Sequence, residues 1–558
     1  YSAAPAPAPA DLDPDAERAR RRVLVVDQTR GDLSVRLGGA DATTFRRMLD
    51  AARAENPDAA IWVKTHPQTA GGAKRGYLTD VDADARTCVV RAPVAPQSLI
   101  AAVDRVYVVT SHMGFEALMA GVPVSCFGRP WYAGWGMTDD RQACPRRTRR
   151  RGVLEAFAAA YVHYTHYLDP ERHAPGTLAD VIAFLERQKT DHARVAGATP
   201  GRVIPVGFSR RKQRNLAPIL TPAGTGLAPA DTARAAEQRA PGPADTLITW
   251  GGAAPPELTD LAARTGARLR RMEDGFIRSV GLGSNFVPPM SVVLDSRGMY
   301  FDPAQPSDLE HILNTREFTA SDLDRARGVR ETIVRERITK YNLEDAVRPA
   351  WAEPGVRTVF VPGQVEDDAS IRRGCPAVAT NAGLLQAARA AEPDARIVYK
   401  PHPDVMARNR VGAVADATIA ATADVVETRV NVISCVEAAG AVHTLTSLTG
   451  FDALMRGKDV TVHGCPFYAG WGLTHDRAAM PRRHRRLTLD MLVAGALLHY
   501  PVYWDWTLRG YTSCEAVLAR IVEQRARLAR SGRLGAHAGG RVDQWVAQRL
   551  LYLVRGGR

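Results

Sequence analysis

Thirty-four consecutive residues of this chain recur at a fixed distance. Residues 108–141 (VVTSHMGFEALMAGVPVSCFGRPWYAGWGMTDDR) pair without a gap with residues 444–477 (TLTSLTGFDALMRGKDVTVHGCPFYAGWGLTHDR), and 19 of the 34 positions are identical. The same offset of 336 residues aligns KTHP (64–67) with KPHP (400–403), Gln28 and Asp32 with Gln364 and Asp368, and PRR (145–147) with PRR (481–483). Solenoid repeats run to roughly 20–50 residues, so this period is far too long for one. It marks a duplicated domain. A fold survives with much less side-chain identity than this, so the matching residues point to shared machinery.

Each copy alternates short apolar runs with helical spacing. In the first, strands are expected at 23–27, 60–64, 106–110 and 122–127, helices at 43–55 and 112–121, and a helical stretch over 153–190. In the second, strands are expected at 357–362, 396–400, 441–446 and 459–463, with helices closing it over 487–530. The alternation predicts parallel sheets covered by helices on both faces, that is, tandem Rossmann-like α/β domains. Between the copies lies a segment without a twin. It reads as another small α/β unit, with strands at 246–251, 268–274, 291–296 and 299–302 and helices near 256–266 and 306–342. The expected boundaries are a disordered Pro/Ala-rich segment at 1–20, domains at 21–200, 201–345 and 346–530, and a basic tail at 531–558.

The 558 residues leave room for three or four domains of roughly 150 residues each. Seven scattered cysteines without a CxxC pair argue against a disulfide framework or a zinc site and fit a reducing compartment. No run reaches the roughly 18 apolar residues of a spanning helix, and no signal peptide is recognisable. The net charge of +13 suits nucleic acid, anionic lipid or an acidic substrate. Two Arg clusters, RRTRRR (146–151) and RRHRR (482–486), occupy equivalent places in the copies and are expected to do one job twice. A solvated face is the plain alternative.

Five constellations carry candidate chemistry. His66 and His402 each follow a predicted strand at its carboxyl end, where open α/β sheets bind ligands, and each is preceded by a lysine, Lys64 or Lys400. Such a His can donate to a phosphate, act as an acid, or cap the strand. Thr110-Ser111 and Thr446-Ser447 end a strand just before a helix, a place for an anion or for simple N-capping. The loops at 131–136 and 467–472, with Tyr468 and Trp471, either stack on a base or a sugar or pack internally. Asp32 and Asp368 sit after the first strand of each copy, each 34 residues before the His, as candidate nucleophiles or bases. In the untwinned segment, Glu273 and Asp274 are flanked by Arg271 and Arg278, an acid/base pair beside cations for an acidic sugar. The following GLGSNF lacks the pattern of a dinucleotide fingerprint.

EDGFIRS (273–279), PGQVEDD (362–368), KPHPD (400–404), TSLTGFDAL (446–454) and PFYAGWG (466–472) together resemble the capsule polysaccharide β-Kdo glycosyltransferases of Gram-negative bacteria, the KpsC type. VVDQTRGD, KTHP, TSHMGFEAL and PWYAGWG in the first copy resemble the other module of that family. The resemblance implies B-type modules of two Rossmann halves that transfer Kdo from CMP-Kdo with retention, in β-2,4 linkage by the first module and β-2,7 by the second. It implies a Kdo-bearing (lyso)phosphatidylglycerol acceptor at the cytoplasmic face of the inner membrane, a companion Kdo transferase and capsule export machinery. By the family pattern Asp368 is the nucleophile, His402 contacts CMP, Ser447 lies near the donor phosphate, and Glu273/Asp274 fall on the acceptor-side half. Gln364, Thr446, Lys400 and Tyr468 join this donor set; Gln28, Asp32, Lys64, His66 and Ser111 form its counterpart, and Arg271, Arg278 and Trp471 are expected to touch sugar.

Retention by two displacements needs a carboxylate nucleophile and an acid/base group. A leaving CMP phosphate can be stabilised by His, hydroxyls and a helix start, so no metal or other cofactor is expected. The offset places the counterpart of Glu273 ahead of Tyr1, so the first copy is expected to bind CMP without transferring sugar alone. The segment 541–555, with basic and apolar faces, either lies on an anionic membrane or packs as a helix. Rival readings are another CMP-sugar transferase of sialyltransferase type and a non-catalytic nucleotide-sugar-binding or export scaffold. Nucleic-acid binding fits poorly, because the aromatics sit in repeated loops rather than across a basic sheet.

Overall fold

A computed structural model of the chain describes residues 21–531, apart from 71–73, 79–80, 82, 85, 93, 198–200, 222–225, 282–286 and 343–346. The Pro/Ala-rich segment, the tail with its two-faced stretch and most of GLGSNF lie outside the described residues. The chain divides into two compact units, one up to Tyr167 and one from Leu168.

The first unit holds a six-stranded parallel sheet. Its order is Thr87–Val90, Ala60–Lys64, Arg22–Val26, Arg105–Val108, Val124–Cys126, Asp139–Asp140. The central strands are apolar on both faces because both faces are covered. Leu24 and Val26 enter one core with Trp62 and Phe115, while Val23 and Val25 enter the other with Phe45 and Met48. The helix Ala42–Glu55 starts where Asp41 and Thr44 form a reciprocal cap, and it buries Phe45, Met48, Leu49 and Ala52 on one stripe.

The second unit contains two six-stranded sheets. One repeats the first unit's order: Val425–Val426, Arg396–Lys400, Thr358–Pro362, Ala441–Thr444, Asp459–Val462, His475–Asp476, all parallel. The other belongs to the untwinned segment. Val203–Pro205, Thr246–Trp250 and Arg268–Asp274 run parallel, and Ser291–Asp295 joins antiparallel. Tandem Rossmann-like sheets are therefore present as expected.

Three expectations are corrected. Residues 487–530 are not all helical. Pro501–Asp505 and Gly510–Thr512 are strands that cross back to complete the sheet of the untwinned segment, the first pairing on Ser291–Val293 and the second on Tyr503–Asp505. The reason is burial on both faces: Val502 and Trp504 pack with Met272 and Val292, Tyr503 with the core on the opposite side. The stretch 153–190 likewise contains strands, Tyr167–Asp169 and Ala174–Gly176, which form a two-stranded sheet of their own. Residues 299–302 form no strand; Met299, Tyr300 and Phe301 turn inward and pack against the core. The helix Leu178–Ala196 lies in the second unit. Its Gln188 exchanges hydrogen bonds with the Tyr511 backbone, and Arg194 donates to the carbonyls of Tyr500 and Pro501.

The repeated Arg clusters have a structural task. Arg147 and Arg483 each donate to two carbonyls of their own aromatic loop, Pro130 and Ala133 or Pro466 and Ala469. In the second copy Arg482 also bonds Glu310 at 2.6 Å, and Arg485 bonds the carbonyl of Arg316 at 2.7 Å, which clamps the two sheets of this unit together. Arg146 and Arg149, at the matching positions, are exposed.

Candidate active site

The site of the second unit is assembled at the carboxyl ends of parallel strands from its two sheets. Asp368 follows Thr358–Pro362 and caps the helix Ala369–Gly374. Its Oδ1 accepts the backbone N–H of Ser370 at 2.9 Å and the Ser370 hydroxyl at 2.7 Å. Its Oδ2 has no hydrogen-bond partner among the described residues, and the side chain is exposed. The Ser370 hydroxyl reaches Thr446 Oγ1 at 3.1 Å, and Thr446 Oγ1 accepts from Gln364 Nε2 at 3.2 Å. Gln364 Oε1 in turn accepts the N–H groups of Thr446 and Ser447 at 3.0 and 3.1 Å. The predicted donor residues Gln364, Thr446 and Ser447 thus form one network that ends on the Asp368 carboxylate.

His402 caps the short helix Pro403–Met406. Its Nδ1 accepts the N–H of Asp404 at 3.2 Å, which leaves the proton of the neutral ring on Nε2. Burial pushes the imidazole pKa below its ordinary value, against the pull of Asp404 and Asp368. The ring is therefore a neutral N–H donor within the electrostatic influence of Asp368. Ser447 serves as N-cap, its Oγ accepting the N–H of Thr449 at 3.2 Å.

The facing sheet supplies Glu273 and Asp274 at the end of Arg268–Asp274. These adjacent carboxyls differ sharply. Asp274 is held by Arg278 at 2.8 Å, and Arg278 is itself buried and bonded to Ser279 and the carbonyl of Val287. Among the described residues Glu273 has only the N–H of Asp274 at 3.1 Å, and loss of water around it pushes its carboxyl up to about 7. The two sheets meet around Tyr300. The charges of Glu273, Asp274 and Asp368 all bear on its phenol, whose pKa is raised well above its usual value by burial first and by these carboxylates second.

Several predicted ligands have other tasks. Tyr468 and Trp471 are fully buried. Tyr468 Oη donates to the carbonyl of Ser447 and Trp471 Nε1 to that of Phe467, so neither ring offers a face to a base or a sugar. Arg278 is consumed by Asp274 as described. Lys64 is buried, and its ammonium donates to the carbonyls of Thr65 and Ala92 at 3.0 Å. Lys400 bears on Glu427 at the neighbouring strand edge. Arg271 is half-buried, with Nε unbonded.

The first unit repeats the donor-side arrangement. Asp32 Oδ1 accepts the N–H of Ser34 at 2.9 Å, His66 Nδ1 accepts that of Gln68 at 3.2 Å, and Gln28 Oε1 accepts that of Thr110 at 2.9 Å. Ser111 Oγ accepts the N–H of Met113 at 3.3 Å. One difference bears on chemistry: Gln28 Nε2 also donates to Asp32 Oδ2 at 3.2 Å, whereas Oδ2 of Asp368 is left open.

Sequence reasoning missed Asn381, whose amide holds Gln364 in place with bonds to its N–H and carbonyl at 2.8 Å each. Its counterpart by the offset is Phe45, so the repeat carried no signal for it. Asp27 does this work in the first unit through Gln28, Tyr77 and Leu78. Tyr300, Lys212 and Trp250 were missed because they have no twins.

The model of the family described as capsule polysaccharide biosynthesis protein matches residues 6–168, 245–350 and 332–504. The chain belongs to that family. It is 43% identical over 492 residues to the capsule polysaccharide modification protein LipA of Neisseria meningitidis serogroup B, covering 86% of this chain and 68% of that protein. The solved beta Kdo 2,4 transferase of Thermosulfurimonas dismutans KpsC is 29% identical, with a TM-score of 0.50, over 57% of this chain and 97% of that one. The beta Kdo 2,7 transferase of the same KpsC is 34% identical, with a TM-score of 0.48, over 58% and 99%. The resemblance to KpsC-type capsule enzymes is thereby shown. Among the described residues no helix is long and apolar enough to cross a membrane, and no group of His, Cys, Asp or Glu is placed to hold a metal ion.

Proposed function

We propose that residues 201–530 form a retaining glycosyltransferase that moves Kdo from CMP-Kdo to a Kdo-bearing acceptor in capsule polysaccharide biosynthesis. One observation carries this reading: an aspartate with an open oxygen and a glutamate whose carboxyl burial pushes up to about 7 stand at strand ends of two sheets, and the charges of both bear on one buried tyrosine. In the first step Asp368 Oδ2 attacks C2 of the sugar. The C2–O bond to phosphate breaks, and CMP leaves with the electron pair. The neutral His402, donating from Nε2, stabilises the leaving phosphate. In the second step the acceptor hydroxyl attacks C2, the bond to Asp368 breaks, and the hydroxyl proton passes to the Glu273 carboxylate. Two inversions give retention.

The different surroundings of the two adjacent carboxyls support different roles for them. Arg278 holds Asp274 in place at 2.8 Å, so Asp274 orients while Glu273 moves the proton. A base with a pKa of about 7 is half ionised at neutral pH, the balance a base works best at. Neither step calls on a metal. The β-2,7 linkage, the (lyso)phosphatidylglycerol acceptor, the anionic membrane surface and the export partners belong to this same proposal through the family resemblance. We place the protein at the cytoplasmic face of the inner membrane on that ground.

The test is CMP release from CMP-Kdo with a Kdo-terminated acceptor, run beside CMP-sialic acid. Release and transfer with CMP-Kdo, lost at least about a thousandfold in Asp368→Asn, are expected. Full transfer in Asp368→Asn, or preference for CMP-sialic acid, contradicts the reading.

A further inference from the structure

The cations predicted to recognise an acidic sugar are not the ones the structure offers. Arg278 is spent on Asp274. Lys212 stands in its place. It opens the helix Arg210–Leu220, which follows the strand Val203–Pro205. Trp250 ends the next strand, Thr246–Trp250, and Glu273 lies near the end of the one after, Arg268–Asp274. These three strands are parallel neighbours, so Lys212, Trp250 and Glu273 come together at the carboxyl edge of one sheet, the ligand-binding edge of such folds.

The Lys212 ammonium sits 3.5 Å from the centroid of the Trp250 ring. Phe208 meets that ring edge-on, with centroids 6.0 Å apart, and keeps it upright. Lys212 is half-buried and makes no salt bridge among the described residues, although Glu273, Asp274 and Arg278 lie within electrostatic reach. Lys340 bears on Glu273 as well. Its backbone carbonyl accepts the N–H groups of Arg278 and Ser279, which ties it to the same loop. A half-buried ammonium held on an aromatic face, without an anion in contact, is a site with its counter-ion still to come. Stacking fixes the ammonium's position, and the carboxylates nearby are too far to neutralise it.

We infer that Lys212, seated on Trp250 and aided by Lys340, binds the carboxylate of the acceptor sugar and so directs one of its hydroxyls to Glu273. This deepens the proposed function and rests on it. The donor sugar also carries a carboxylate, but the donor network lies on the other sheet. Lys212 shares its own sheet with the proton acceptor, so the acceptor is its ligand.

The experiment measures binding of a methyl Kdo glycoside and of its methyl ester to the whole chain, with CMP saturating the donor side. The wild type should bind the free carboxylate about tenfold or more tightly than the ester, the effect of one charge-assisted contact. Lys212→Arg should keep that preference. Lys212→Met and Trp250→Leu should erase it, the second by removing the lysine's seat. An unchanged preference in Lys212→Met overturns the inference. So does a preference that appears only without CMP, since the anion then occupies the donor side. So does Lys212-dependent binding of glycerol 3-phosphate with no discrimination between glycoside and ester, since the anion recognised is then a phosphate. The assay needs no turnover. Failure of the transferase reading would show separately, as absence of CMP release from CMP-Kdo.

Discussion

Glu273 and Asp274 are neighbours with opposite fates, and a single arginine decides between them. The ion pair of Arg278 with Asp274 is largely shielded, with side-chain exposures of 7% and 17%. Removing one member of such a pair strands the other charge, so Arg278→Met should cost about 3–5 kcal/mol by urea unfolding. The same variant should slow transfer, because Asp274 would no longer be held beside Glu273. In the proposed mechanism Glu273 sets the pH profile. It must be ionised to receive the acceptor proton, so transfer should decline as pH falls through about 7. In Glu273→Gln that inflection should vanish along with most of the transfer; an inflection near 7 that survives would assign it to another group. The two carboxyls were legible as a pair from EDGF alone. Their division of labour was not, because it depends on which one Arg278 reaches in three dimensions.

At the scale of elements, the duplicated motif is a mechanical unit. Tyr468 lies across Gly450 and donates to the Ser447 carbonyl, and Tyr132 does the same over Gly114 and Ser111. A Cβ at Gly450 would overlap the Tyr468 hydroxyl, so the glycine, the tyrosine and the serine turn are retained together. Gly450→Ala should displace the tyrosine and loosen the turn carrying Thr446. The expected cost is about 1–3 kcal/mol in stability, with weaker CMP binding, and unchanged CMP affinity would show that the turn is indifferent to its support. This explains why the aromatic loop reads as a binding loop in sequence but not in structure: what recurs is packing beneath the site. The parallel strands were legible, since runs such as RIVYK are apolar on both faces. The crossing strand Pro501–Asp505 was not, since it pairs with residues more than two hundred positions earlier, and Gly510–Thr512 follows it as the next strand of the same sheet. Trp504→Ala, which empties a fully packed position in that sheet, should cost about 3–5 kcal/mol, measurable as a shift in the urea midpoint.

For the molecule as a whole, the two copies are built alike but not equally sensitive to acid. His443, His463 and His499 of the second unit are pushed down to about 4 by burial. Their counterparts by the offset are Tyr107, Phe127 and the exposed His163. A histidine whose folded pKa lies below its unfolded value near 6.5 contributes stability that is full above 6.5 and lost as pH falls towards 4. Glu273 and Asp452, both raised to about 7 by burial, act in the other direction, since the folded state takes up their protons first. The double variant His443→Tyr/His463→Phe should therefore lose less stability than the wild type between pH 6.5 and 4. Equal losses in denaturant titrations would show that the pair does not titrate in unfolding.

The offset of 336 residues made the donor-side set legible in both copies, because chemistry and support recur together. What lacks a twin, namely Tyr300, Lys212, Trp250 and Asn381, came only from the fold. The central claim is that Asp368 becomes covalently attached to the sugar and that Glu273 is needed only afterwards. The most direct measurement is the intact mass of Glu273→Gln after incubation with CMP-Kdo without acceptor. The account predicts a gain of one Kdo residue, mapped to Asp368 by peptide analysis and absent from Asp368→Asn/Glu273→Gln. An unmodified Glu273→Gln chain that still releases CMP, or an adduct on another residue, would contradict it.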